Sequence, residues 1–498
     1  TESTRYLCAA AYLDLKFRRW LHEHVIDNEH HAIGRPAGVD LATVVKHCLA
    51  AEKRQFRIEL VFGALVLVLA YLVLATPELR SIVGLTPRST LPHPTGAALV
   101  LCLAVLIAAS AITLVRDQWD LRFRILGRDL SRAKLRPDTT GIELPASVEE
   151  RLATASDDPA NNTVVYSGYA PFVGAGVNVG GWSFAVNISK ARDDLGSLLR
   201  NLGNDDSPPA RVAEFPRATL GFDLAGLYTS IDDAIARLEL AGISLRDQLY
   251  VNGRTIRDDR RFLDNAFARP RTRADTELMK TFVGALAQPI RHYKVIEAST
   301  WNGELVLSIF LRFGKIDQSL FMETSYHLLT PVHNGYRTVD AIPLHPTSRQ
   351  WMPVITGALL GGPLLMVLSP LLLLGRAMAR YGRWQHHREL RRTIEDDPHY
   401  DYGTATTVRE FARSQGYHQY FQQLDKDMYL KIIERQILDT TVDFLDRHNV
   451  DTSDLRQRQT TILNNGVVAG SVQAGSVAVG AHSTAQNSGQ SSALLKAA

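Results

Sequence analysis

Histidines and carboxylates crowd the stretch HEHVIDNEHH, where His22, His24, His30 and His31 stand among Glu23, Asp27 and Glu29. These side chains are zinc-ligand types, but a site preformed on one helix would set its histidines four residues apart, and this stretch does not. It reads as a solvated helix end. Asp396, Asp397, His399 and Asp401 make a similar mixed cluster, read the same way. Ser131 and Lys134 have the spacing of a serine–lysine pair. A nucleophilic serine needs a pocket and a lysine of depressed pKa, whereas this pair falls in a basic segment beside an apolar run. GAGVNVGG, residues 174–181, has the glycine content of a phosphate-cradling loop. Such a loop must open a helix, whose first amides face the phosphate. Here Trp182 to Val186 follow with the pattern of a strand, so the glycines serve positive φ angles instead. With no GxSxG, HExxH or Walker loop in the chain, the sequence predicts a non-enzymatic protein with no catalytic, cofactor-binding or metal-binding residues.

The elements that carry these residues are organised around three apolar runs. The first, IELVFGALVLVLAYLVLA, covers residues 58–75, and the second, GAALVLCLAVLIAASAITLV, covers 96–115. Each is close to the roughly 20 residues a helix needs to cross a bilayer core. Glu59 is the one charge in either. The proline-rich link between them is too short for a domain, so 58–115 reads as a transmembrane hairpin. Lys53, Arg54 and Arg57 precede it, and Arg116, Arg122, Arg124, Arg128, Arg132, Lys134 and Arg136 follow it. Positive flanks stay on the cytoplasmic side, which places both ends of the hairpin there. The first apolar run begins well inside the chain, so no N-terminal leader is expected.

The third run, WMPVITGALLGGPLLMVLSPLLLLG, covers residues 351–375 and leads into Arg376, Arg380, Arg383, Arg388, Arg391 and Arg392. One crossing would carry these arginines to the far side, against their own inside signal. Gly361, Gly362 and Pro363 interrupt the run, and proline with paired glycines weakens a helix. Two readings stay open: a re-entrant pair of half-helices hinged at those three residues, or a single kinked crossing. Arg116, Arg122, Arg376 and Arg380 are the basic residues expected to meet anionic lipid headgroups.

Composition excludes other classes. The net charge of +3 over 498 residues is faint, and its arginines gather beside the apolar runs. Nucleic-acid binding needs a basic face or a known module, so no nucleic-acid partner is expected. Cys8, Cys48 and Cys102 are too few and too far apart for a disulfide framework.

The soluble parts divide by pattern. Residues 1–57 read as N-terminal helices. In the second of them Leu41, Val44, Val45, Cys48 and Leu49 share one face behind a cap at Asp40, and no breaker stops it before residue 75. Trp119, Phe123, Leu126 and Leu130 continue the second run inward as a stalk within the basic segment 116–159. Residues 160–350 form an α+β unit on an antiparallel sheet. NTVVYSGYAPFV and WSFAVNIS read as a hairpin, YTSIDDAIARLELA as a helix capped by Ser230 or Thr229, and Asn252-Gly253 as a tight turn. Residues 291–329 read as a three-strand meander turning at Asn302-Gly303 and near Gly314-Lys315. After the third run, 376–455 hold a basic segment and an amphipathic helix over about 405–449, with Tyr417, Tyr420, Phe421, Leu424, Met428 and Ile432 on one face.

TRYLCAAAYLD, GVDLATVVKHCLAA, VVYSGYAPFVGAG and WSFAVNI resemble uncharacterised integral membrane proteins of actinobacteria, Streptomyces-like in type. The resemblance implies a multi-pass protein of the bacterial cytoplasmic membrane and supplies no activity. The final segment, 456–498, is different in kind: from Gln459 to Leu495 it holds no Lys, Arg, Asp or Glu. Its valine-dotted, proline-free pattern suits in-register strand stacking. Val472-Gln473-Ala474-Gly475 resembles the core of bacterial amyloid signalling motifs. Val468, Val472, Gln473, Gly475, Val477 and Val479 are the expected self-association residues. The function expected is a membrane-anchored signalling or scaffold protein, homo-oligomeric or joined to a partner bearing a related tail. The alternative is a membrane-active oligomer, a pore-forming or membrane-perturbing effector of the cell-death type.

Overall fold

The computed structural model describes residues 1–75, 96–131, 140–156, 158, 160–191, 219–285, 288–342 and 348–469. It opens with α1 (Glu2–Leu13) and α2 (Leu15–Leu21), which runs into a π-helical turn at His22–Ile26. Asp14 separates the two helices, and its carboxylate accepts the amides of Lys16 and Phe17, which a helix start leaves open. α3 then runs unbroken from Leu41 to Ala75, the single long helix expected. Asp40 caps it, accepting the Thr43 amide at 3.2 Å. α4 (Gly96–Trp119) carries the second run and continues in π-helical form through Asp120–Asp129. The inward stripe forms, with Trp119 and Phe123 rings 4.3 Å apart and Leu126 and Leu130 buried. It is no free stalk, because Leu126 and Leu130 share a core with Tyr6 and Leu7 of α1 and Val44, Val45 and Cys48 of α3.

After α5 (Ala146–Thr154) come β1 (Thr163–Tyr166), β2 (Val177–Asn187), α6 (Leu224–Ala236), β3 (Ile243–Asn252) and α7 (Thr276–Phe282). The meander β4 (Arg291–Thr300), β5 (Leu305–Ile316) and β6 (Ser319–Leu329) follows as expected. One six-stranded sheet results, in the order β1-β3-β4-β5-β6-β2.

The body departs from the sequence reading in the pairing of β1 and β2 and in the cap of α6. β1 and β2 do not form a hairpin: β1 pairs in parallel with β3 at one edge and β2 antiparallel with β6 at the other, which makes the sheet mixed. Gly176 steers this, at φ +87° with its α-carbon so close to β6 that a Cβ would meet the Leu328 carbonyl oxygen at 2.2 Å. The β5–β6 turn falls at Asp317 (φ +47°), leaving Gly314 and Lys315 inside the strand. α6 is capped by Asp223, not Ser230 or Thr229, whose hydroxyls bond carbonyls inside the helix. Asn252 ends β3 and starts a 3-10 turn, where Gly253 presses on the Gly403 amide.

The third run lies in α8 (Ser348–Asp396), which is continuous and contains Pro353, Pro363 and Pro370. Both ends of the run nonetheless stand at the base of the hairpin: the Trp351 ring lies 4.2 Å from that of Trp119, and Arg376 pairs with Glu59. Beyond it lie the short α9 (Val408–Phe411), α10 (Tyr420–Arg447) and α11 (Ser453–Ala469). The broad helix expected over 405–449 is thus two helices, and α11 carries helical backbone into the segment read as tail.

Segments that the sequence sets apart share cores. One joins residues of α1–α4 and α5 to Val332, Tyr336 and Val408. A second packs Leu227 and Ile231 of α6 and Ile433, Ile437 and Leu445 of α10 on the sheet. A third closes Val165, Leu249 and Val251 over Ile394, Tyr400 and Tyr402. Chain from before, between and after the apolar runs builds one folded body.

Candidate membrane-facing site

α3, α4 and α8 are each long and apolar enough to cross a membrane. They meet around a small core of Phe62, Leu114, Ala358 and Met366. Small residues permit the approach, as in membrane helix pairs. A Cβ on Gly362 would stand 2.9 Å from the Ser110 carbonyl carbon, and one on Gly63 would stand 2.9 Å from Leu373 Cδ1. Ser110 and Ser369 are buried here, and their hydroxyls donate to carbonyls of their own helices, Ile107 and Met366, at 2.8 Å. Gly361 and Gly362 thus stand at a contact point with α4.

The outward faces stay apolar. Met352, Leu360, Leu364, Val367, Leu371 and Leu374 of α8 are exposed, Leu360 by 81 %. Leu67, Tyr71, Val100, Leu101, Val105 and Ile112 do the same on α3 and α4. Side chains of this kind gathered on three neighbouring helices mark a contact surface, not a water-facing one.

Charge is sorted at one end of this layer. Glu59, the lone acid of the first two runs, receives both Nε and Nη2 of Arg376 at 2.8 Å. Arg54 pairs with Asp117, joining α3 to α4. Arg116, Arg122 and Arg380 are exposed. Arg376 is committed to Glu59 and lies across the Phe56 ring. The Glu59–Arg376 pair was missed in the sequence. Its signal was an acid placed where an apolar helix tolerates none unpaired.

Around the base, burial would lower the His22 pKa, yet its hydrogen bonds to Asp27 and Glu52 outweigh that and raise it to about 9. Arg383 of α8 approaches the same Asp27 at 3.7 Å. The other histidines of the stretch go separate ways: His24 stacks on Trp20, His30 meets the Phe267 carbonyl and His31 meets Asn28 and Tyr400. Among the described residues no group of three or more His, Cys, Asp or Glu could hold a metal ion.

In the folded body, a charged seam ties α1 to the sheet. Arg5 pairs with Glu2 and Asp340, and Arg337 with Glu304 at 3.2 Å. Arg409 is wholly buried with one carbonyl partner, that of Glu304, and burial lowers its pKa to about 10. An open groove of about 1030 Å³ on the sheet is lined by Arg291, Arg312, Phe321 and Glu323. Arg312 donates its guanidinium to Glu323 and the Ala285 carbonyl. Trp182 and Tyr326 both donate to Glu434, fixing α10 on the sheet. The amino half of α10 is bare: Tyr420, Phe421, Leu424 and Met428 are all exposed. Val468 lies in the last turn of α11, while Val472, Gln473, Gly475, Val477 and Val479 lie outside the described residues.

A family model described as the AbeC-like domain matches residues 181–477. That stretch takes in β2–β6, the third apolar helix and α9–α11. No curated protein and no solved structure matches the chain.

Proposed function

We propose, from the premise that this chain belongs to the AbeC-like domain family, that it is a membrane-anchored, non-catalytic scaffold or signalling protein. The family name hints at an abortive-infection type of system, and the three apolar helices make this a membrane protein. The reading rests on one observation: a single folded body assembled from chain on both sides of every apolar run. Such a body holds its membrane helices rigidly and delivers the end of α11, with the uncharged tail beyond it, at a fixed place. Assembly through homotypic stacking of that tail, on the cytoplasmic face of a bacterial inner membrane, completes the proposal. Chain that shares a core must share a side of the membrane. Lys280→Cys and Arg435→Cys, on surface helices before and after the third run, should then label from the same side with an impermeant maleimide. Labelling from opposite sides would sink the single-sided arrangement. For the tail, a peptide of residues 455–498 should form thioflavin-positive fibrils, and a soluble peptide across a wide concentration range refutes stacking.

The exposed apolar faces of α3, α4 and α8 favour a second reading, a membrane-active oligomer of the cell-death type. Purified protein in dye-loaded liposomes separates the two, because a scaffold leaves the dye inside.

A further inference from the structure

α3 and α4 run past each other in opposite directions. Val44, Val45 and Cys48 of α3 share a core with Leu126 and Leu130 in the continuation of α4, Arg54 donates to the Asp117 carbonyl, and Phe62 shares a core with Leu114. Counted from the Arg54–Asp117 pair at about 1.5 Å per residue, Trp119 lies about 3 Å toward the folded body. On the same scale Ser110 lies about 10 Å into the apolar layer, Gly63 about 14 Å and Glu59 about 8 Å. α8 touches these levels in turn. Its Trp351 ring is 4.2 Å from that of Trp119, and a Cβ on Gly362 would stand 2.9 Å from the Ser110 carbonyl carbon. Leu373 then meets Gly63, and Arg376 pairs with Glu59. A straight helix from Trp351 to Arg376 would climb about 37 Å. These contacts climb less than half of that and turn back, up along α4 and down along α3. Pro363 and Pro370 lie between the two arms, where a proline's missing backbone donor bends a helix.

We infer that the third run is a re-entrant wedge in the leaflet next to the folded body, and that its partner is the acyl-chain layer of that leaflet. A climb of about 15 Å reaches the middle of a hydrocarbon core roughly 30 Å thick. Beyond it α3 continues to Ala75, and α4 comes down from Gly96. Among the described residues the near leaflet therefore holds α3, α4 and both arms of α8, and the far leaflet holds α3 and α4. Side-chain size selects lipid as the occupant. Gly362 is turned onto α4, whereas Leu360, Leu364, Val367, Leu371 and Leu374 face outward. Helix pairs within a bilayer favour small residues at their contacts, and large aliphatic side chains suit fluid chains. A body wider in one leaflet fits a membrane that is convex toward the body, where the chains of that leaflet spread. The inference rests on the membrane anchoring proposed above.

The test inserts full-length protein from detergent into preformed vesicles about 50 nm and about 200 nm across and reads its surface density on each. A density about threefold or more higher on the small vesicles is expected, and equal densities would overturn the wedge. Placement is read with nitroxide labels at Met352→Cys, Leu364→Cys and Met378→Cys, whose side chains are all exposed. Ascorbate added outside should reduce the labels at 352 and 378 together and the label at 364 slowly. Labels at 352 and 378 reduced from opposite sides would show a crossing and overturn the inference. Dipolar broadening between Leu364→Cys labels of different chains would show a second copy on this face, and would overturn the choice of lipid. Lys280→Cys and Arg435→Cys on one side, with no preference for small vesicles, removes the wedge and leaves the single-sided body standing.

Discussion

Replacing Arg376 by methionine tests how the third helix is held. The substitution keeps the apolar stem that lies over Phe56 and deletes the two charged hydrogen bonds to Glu59. Glu59 is 6 % exposed and, among the described residues, then retains Gln55 as its partner, at 2.9 Å. Stranding one member of a buried ion pair costs about 3–5 kcal/mol. Arg376 is itself about a third exposed, at 32 %, so water already screens part of the interaction. The expected loss is thus nearer 2–3 kcal/mol. Glu59→Leu alone frees Arg376 to turn toward headgroups and should cost less. In the double variant Glu59→Leu/Arg376→Met no buried charge is left, and most of the loss should return. Unfolding of the four proteins in mixed detergent micelles gives the double-mutant cycle. A coupling of about 1.5–2.5 kcal/mol is expected. A double variant as unstable as the two single losses added together would refute the claim that the pair fastens α8 to α3.

Three further outcomes follow from the same geometry. Gly362→Leu places a side chain where a Cβ already meets Ser110 backbone at 2.9 Å, so α4 and α8 must part at about 1–3 kcal/mol; an unshifted unfolding midpoint would contradict this packing. Gly176→Ala forces a side chain onto φ +87° and into the Leu328 carbonyl, and should lower folded-body stability by a similar roughly 1–3 kcal/mol, read from the melting of the sheet. For His22 the folded pKa of about 9 exceeds its unfolded value. Its contribution is therefore fully present below about pH 6.5 and is lost as pH rises through about 9. The groups that set this are Asp27 and Glu52, with Arg383 beside Asp27. His22→Gln should flatten the fall in melting temperature between those limits, and an unchanged slope would reject the assignment.

Much was legible in the sequence because it is written in short-range pattern. The three apolar runs, the helix running from Leu41 to Ala75 behind Asp40, and the β4–β5–β6 meander each follow from periodicity and local caps. Glycine at 174, 176, 180 and 181 signalled positive φ, which all four adopt.

What the sequence left undetermined depended on partners far along the chain. A hairpin of β1 and β2 is the nearest pairing available to those strands, and no local signal tells that each finds a better edge, on β3 and β6. Likewise nothing local to Gly361-Gly362 tells that Ser110 and Ala111 stand against it, where bare backbone is what the contact requires. Arg376 looked free for lipid until Glu59, 317 residues away, claimed it. The sequence by itself determined that this chain has membrane helices, an α+β body and an uncharged end. Only the tertiary structure decided that the body is one piece across every apolar run, and that α11 turns back against the carboxyl half of α10. Local pattern sets an element's type through backbone geometry, but its neighbour is set by burial summed over the whole chain, and no window of sequence contains that sum.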